Sequence, residues 1–86
     1  MIFKVIIRSK AQRQLNHLEI FRFQRITAEI KSLEDNPFPF GYAKLAGIGA
    51  YRIRVGSFRI IYEVNVQERL VEILKVERRE TVYDRL

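Results

Sequence analysis

Three arginines set the chemistry that this chain can be read for. Arg52, Arg54 and Arg59 stand in YRIRVGSFRIIYEV, the first two alternating with apolar residues and the third just past a Gly-Ser pair. Arginine stays charged at any working pH and presents a planar fork of donors that matches the oxygens of a phosphate. If Gly56 and Ser57 form a two-residue turn with glycine first, Val55 lies opposite Phe58 and Arg54 opposite Arg59. Strand side chains alternate, so Tyr51, Ile53, Val55, Phe58, Ile60 and Tyr62 then share one face, and Arg52, Arg54 and Arg59 share the other. Like charges directly opposite destabilise a sheet. On that pairing alone, replacing Arg59 by alanine leaves the fold intact or slightly more stable. Arginines kept there in spite of the repulsion point to a phosphate. The same pattern also fits the solvated side of an amphipathic hairpin with Glu63 as a nearby counter-ion.

Composition favours a polyanionic partner and removes several other chemistries. The chain has 86 residues and a net charge of +6, which is one small domain spanning residues 1–86. Its cations are mostly arginine, a bias that suits phosphate more than a merely soluble surface requires. With no cysteine there are no disulfides, thiolate metal sites or cysteine nucleophiles. A single histidine, His17, rules against a zinc site or a histidine-centred triad, so no metal and no cofactor are expected. No apolar run approaches the roughly 18 residues of a membrane span, and MIFKVIIRSK is too short for a signal peptide. The expectation is a soluble cytoplasmic protein without a membrane partner.

The elements that position the arginines follow from the spacing of apolar residues. Met1 to Ile7 reads as a strand, short and β-branched. Ser9 then starts a helix, with Gln12 completing a capping box and Ala11, Leu15 and Leu18 forming one stripe. A second helix carries Phe23, Ile26, Ile30 and Leu33 and ends near Asp35–Asn36, because Pro37 and Pro39 cannot continue it. Pro37 to Ala50 reads as a loop in which Phe38, Phe40 and Tyr42 pack over the end of the core. Beyond it the period changes to two: Tyr51 to Val55, Phe58 to Val64, and a third strand, Leu70 to Val76, apolar enough to be central. The fold class is α+β: an N-terminal strand, a helical hairpin, then an antiparallel sheet of three further strands. The helices cover one face and leave the other free for a partner.

KLAGIGAYRIRVGSFRIIYEV followed by VEILKVERRETVY resembles the RelE/ParE toxin superfamily, with SKAQRQL and LEDNPFP falling on its helical hairpin. The resemblance covers nearly the whole chain. It implies a toxin of a type II toxin–antitoxin pair on its RelE-like branch, a ribosome-dependent endonuclease that cuts mRNA in the A site. Carried over by position, the catalytic set falls on Arg52, Arg54, Arg59, Arg79 and Tyr83, with Arg78 and Lys44 as further RNA-binding residues. The implied reaction is metal-independent: the RNA 2′-hydroxyl attacks its own phosphate and the 5′-oxygen leaves. The implied partners are an acidic antitoxin, the ribosome and mRNA. Two departures stand out. Both basic positions of the first hairpin strand are arginine where lysine is common, which puts a lysine-type base in doubt. Glu77 stands where the family usually has glycine, and puts a carboxylate inside the basic motif. Glu63, Glu77 and Glu80 are read as salt-bridge partners more than as bases. The rival reading keeps the fold and changes the function: a ParE-like, non-enzymatic inhibitor of DNA gyrase.

Overall fold

Alternation of apolar residues in the second half of the chain builds a sheet that places every large side chain of one face under two helices. The computed structural model describes residues 2–45 and 49–78. In chain order these are β1 (Lys4–Ile7), α1 (Ser9–Asn16), α2 (Ile20–Ser32), β2 (Ala43–Lys44), β3 (Ala50–Val55), β4 (Phe58–Asn65) and β5 (Leu70–Arg78). The strand order is β1-β5-β4-β3-β2, with β1 parallel to β5 and the other pairs antiparallel. The α+β class holds, but the sheet is mixed and has one strand more than the sequence pattern gives. The extra strand, β2, is two residues long and lies in the segment read as loop.

The hairpin register is the expected one: Val55 pairs with Phe58 and Arg54 with Arg59. Gly56 makes the turn possible with φ at 61°, a region in which an L side chain is strained. β5 departs from simple alternation. Ile61 pairs with Lys75 and Tyr62 with Ile73, so Leu74 is an extra residue, a β-bulge. The bulge keeps Val71 and Ile73 before it, and Val76 after it, on the same buried face. Gln14 of α1 ties this stretch to the helix layer, its Oε1 accepting from the Val76 amide at 2.7 Å.

The core joins Ala11 and Leu15 of α1, Ile26 and Ile30 of α2, and the sheet residues Ile53, Val55, Phe58, Ile60, Tyr62, Val71, Ile73 and Val76. Burial of each large aliphatic side chain contributes about 1.5–3 kcal/mol, the main term holding the layers together. α1 lies over β5 and α2 over β3, both on one side of the sheet. Leu33 closes the end of α2 and is fully buried. The proline-rich segment that follows is held from within, since the Tyr62 hydroxyl donates to the Pro37 carbonyl at 2.7 Å. Phe38, Tyr42 and Tyr51 stack with centroids 5.1–5.9 Å apart, so this loop packs over the core end as its aromatic content suggests. Phe40, which the sequence reading puts in that packing, projects into solvent instead, and Tyr42 keeps an exposed side.

The capping box at Ser9 and Gln12 does not form. The residue before the helix is Arg8, and no side chain caps α1. The chain passes from β1 to α1 without an intervening turn: the Arg8 amide still donates to Ile73, while its carbonyl already accepts from Gln12. The Gln12 side chain turns instead to Asn16.

Candidate functional site

On the face that the helices leave uncovered, the register lines up two rows of side chains. One row runs Arg52, Ile61, Lys75 across β3, β4 and β5. The next runs Arg54, Arg59, Glu77. Between them lies a depression of about 230 Å³ lined by Leu45, Arg52, Arg59, Ile61, Lys75 and Glu77. Ile61, almost fully buried, is its floor. The charged groups are its walls.

Hydrogen bonding fixes the geometry of those walls. Glu77 Oε2 accepts from both Arg59 Nε and Arg59 Nη2, each at 2.8 Å, and Glu77 Oε1 lies 3.6 Å from Lys75 Nζ. The carboxylate therefore bridges two cations. It occupies one edge of the Arg59 fork and leaves the Nη1 side uncommitted to it. The like-charge pair Arg54–Arg59 is thus offset by a carboxylate on the opposite neighbouring strand, which inspection of the hairpin alone misses.

The candidate residues divide by face. Arg52 and Arg59 line the depression, and exposed Arg54 stands beside Arg59 at its rim. Lys44 pairs with Tyr51 and so lies on the other side of the sheet edge, away from the depression. Arg78 pairs with Phe58, and its guanidinium sits over that ring at 4.9 Å, on the helix side of the sheet. Arg79, Glu80 and Tyr83 lie outside the described residues. Lys75 lines the depression although sequence reading passes over it, because only the bulge at Leu74 turns it toward the arginines.

Elsewhere, a cavity of about 180 Å³ opens between α2 and the hairpin turn, with Phe21, Arg22 and Arg25 above Val55 and Phe58. Arg22 is engaged there by Glu19 at 3.3 Å and by the Ser57 hydroxyl at 3.4 Å. Among the described residues, no cluster of histidine, aspartate and glutamate could hold a metal ion, and no helix is long and apolar enough to cross a membrane. His17 is exposed at the end of α1. The open-face depression can therefore grip an anion with fixed guanidinium forks, over an apolar floor, beside one primary ammonium group.

Comparison with known proteins gives a consistent result. A family model described as the ParE toxin of the type II toxin–antitoxin system parDE matches residues 5–83. A protein of Methanocaldococcus jannaschii named as a toxin, RelE1, is 33% identical over 96% of this chain and 97% of its own length. The archaeal RelE–RelB complex of Pyrococcus horikoshii contains a chain that superimposes with a TM-score of 0.85 at 32% identity, covering 95% of this chain and 100% of that one. The RelB–RelE antitoxin–toxin complex of Methanococcus jannaschii gives a TM-score of 0.68 at 26% identity, covering 94% and 98%.

Proposed function

This chain belongs to the RelE/ParE superfamily of type II toxins, and from that premise we propose that it is a ribosome-dependent mRNA endonuclease held in check by an acidic antitoxin. The observation that carries this reading is the uncovered, arginine-lined depression, in which Arg52 faces Lys75 across the buried floor of Ile61 and Arg59 stands in the next row. A phosphodiester seated there places its non-bridging oxygens against guanidinium forks, which neutralise charge as the phosphorane forms. Arg54 extends the contact along the RNA backbone at the rim. Arg79 and Tyr83, carried over from the family pattern, complete the set, with Tyr83 stacking on a base or activating the 2′-hydroxyl. Lys44 and Arg78, on the other side of the sheet, suit contact with the ribosome better than with the scissile phosphate. The ribosome orients the message in its A site, which is a large share of what such a small site needs supplied. The antitoxin part of the reading rests on relatives whose solved complexes pair RelE with RelB.

The test uses translating ribosomes with a programmed A-site codon. The message is cut and bears a 2′,3′-cyclic phosphate, equally well in EDTA, while naked RNA is cut slowly or not at all. The matching family model carries the ParE name, which favours one second reading, inhibition of DNA gyrase. Intact message together with blocked DNA supercoiling would establish that reading instead.

A further inference from the structure

The depression holds four charged side chains, and two of them, Arg52 and Arg59, do not exchange protons near neutral pH. Transesterification needs a proton delivered, because a 5′-oxygen that departs unprotonated is a strongly basic alkoxide. Glu77 is committed elsewhere, one oxygen holding the Arg59 fork and the other facing Lys75. That leaves the Lys75 ammonium. It stands on the same cross-strand row as Arg52 with Ile61 between, so the two backbones are about 10 Å apart, twice the strand spacing. A phosphate above Ile61 then meets a guanidinium on one side and an ammonium on the other.

We infer that Lys75 is the general acid of this site and that Glu77 is the positioning residue that holds its ammonium beside Arg59. The inference rests on the endonuclease reading and names a residue that the family pattern does not supply. In the step, the 2′-oxygen forms its bond to phosphorus and gives its proton to water or hydroxide. The bond from phosphorus to the 5′-oxygen breaks, and its electron pair stays on that oxygen. The oxygen takes a proton from Lys75 Nζ, leaving a 5′-hydroxyl, a 2′,3′-cyclic phosphate and a neutral amine that recovers its proton from solvent.

The decisive experiment compares single-turnover cleavage on programmed ribosomes for two messages, one with the natural 5′-oxygen at the scissile linkage and one with sulfur in its place. A thiolate leaves without a proton. Lys75→Ala and Lys75→Arg are expected to cut the oxygen message about 100-fold or more slowly than wild type, and to cut the sulfur message within a few-fold of it. Glu77→Gln, acting through Lys75, slows the oxygen message less and shares the rescue. Arg59→Ala is slow on both, since its loss removes charge neutralisation, which sulfur does not replace. Lys75→Arg keeps the positive charge, so its failure is not one of folding, and a thermal melt near wild type confirms that. Lys75 variants as fast as wild type on oxygen, or equally slow on both messages, overturn the inference alone. A wild-type protein that cuts neither message overturns the endonuclease reading, and the inference with it.

Discussion

Arg59 stands between a cation and an anion, Arg54 on β3 and Glu77 on β5. The opposing arginine costs a few tenths of a kcal/mol, whereas the two-donor contact with Glu77, half open to water, contributes about 1 kcal/mol. Arg59→Ala therefore lowers stability slightly, by less than about 1 kcal/mol, where the hairpin considered alone suggests no loss or a small gain. Urea unfolding measures that difference. Growth inhibition on expression without the antitoxin should fall sharply in the same variant, and full toxicity would remove the hairpin arginines from the site. Tyr62 presents a different case. It is fully buried, its hydroxyl is spent on the Pro37 carbonyl, and burial, with smaller effects from Tyr42 and Tyr51, pushes its ionisation far above the ordinary 10.0. A folded-state value above the unfolded one means stability is fully present below pH 10.0 and is lost as pH rises beyond it, because only the unfolded chain ionises there. Tyr62→Phe strands a carbonyl and costs about 1–2 kcal/mol at neutral pH, yet it lacks this alkaline loss. Unfolding midpoints for the two proteins should therefore converge between pH 9.5 and 11 (about the range of a free phenol). Parallel curves across that range would show that Tyr62 is not the group responsible.

Among the elements, what the sequence reveals depends on how regular each one is. β3 and β4 were legible in register because period-two alternation and a glycine-first turn admit one pairing that buries Ile53, Val55, Phe58 and Ile60 together. The same logic fails on β5. Its apolar run Val71, Ile73, Leu74, Val76 carries no alternation, and strict alternation from Ile73 would send Lys75 and Glu77 into the core. The bulge turns them outward, so half of the depression was hidden in an irregularity that only tertiary packing selects. β2 was hidden for another reason, being two residues in a segment dominated by proline, glycine and aromatics. Deleting Leu74 tests the bulge directly. With Leu74 removed Ile73 and Lys75 become neighbours, so strict alternation keeps Val71, Ile73 and Val76 on the core face and Lys75 and Glu77 on the open one. The deletion variant is therefore expected to fold with the β4–β5 register unchanged and to lose about 1–2 kcal/mol, much as Leu74→Ala does, because both remove the same half-buried side chain. A deletion variant that unfolds where Leu74→Ala does not would mean that the kink of the bulge, and not the side-chain alternation alone, holds Val76 in the core.

At the scale of the whole molecule, charge and coverage act together. The chain carries +6, and both helices lie on one side of the sheet, so the opposite side presents Arg52, Arg54 and Arg59 uncovered by any element among the described residues. Opposite charge on an antitoxin steers its approach from a distance, and a segment that folds on contact captures more surface than a rigid one. Steering weakens as salt shortens the screening length from about 10 Å at 0.1 M to about 3 Å at 1 M. The contacts made after docking are closer than either length and respond less. The association rate with the antitoxin is therefore expected to fall about tenfold or more between low salt and 0.5 M, with a much smaller change in the dissociation rate (~10⁸ against ~10⁶ M⁻¹s⁻¹ spans steered and unsteered encounters). Stopped-flow mixing measures the first rate and displacement the second. Arg54→Glu, at the rim and outside the depression lining, should flatten the salt dependence of association while leaving the dissociation rate within a few-fold. An association rate indifferent to salt in the wild-type protein would mean that apolar docking alone brings the pair together, and that the arginine-rich face is reserved for RNA.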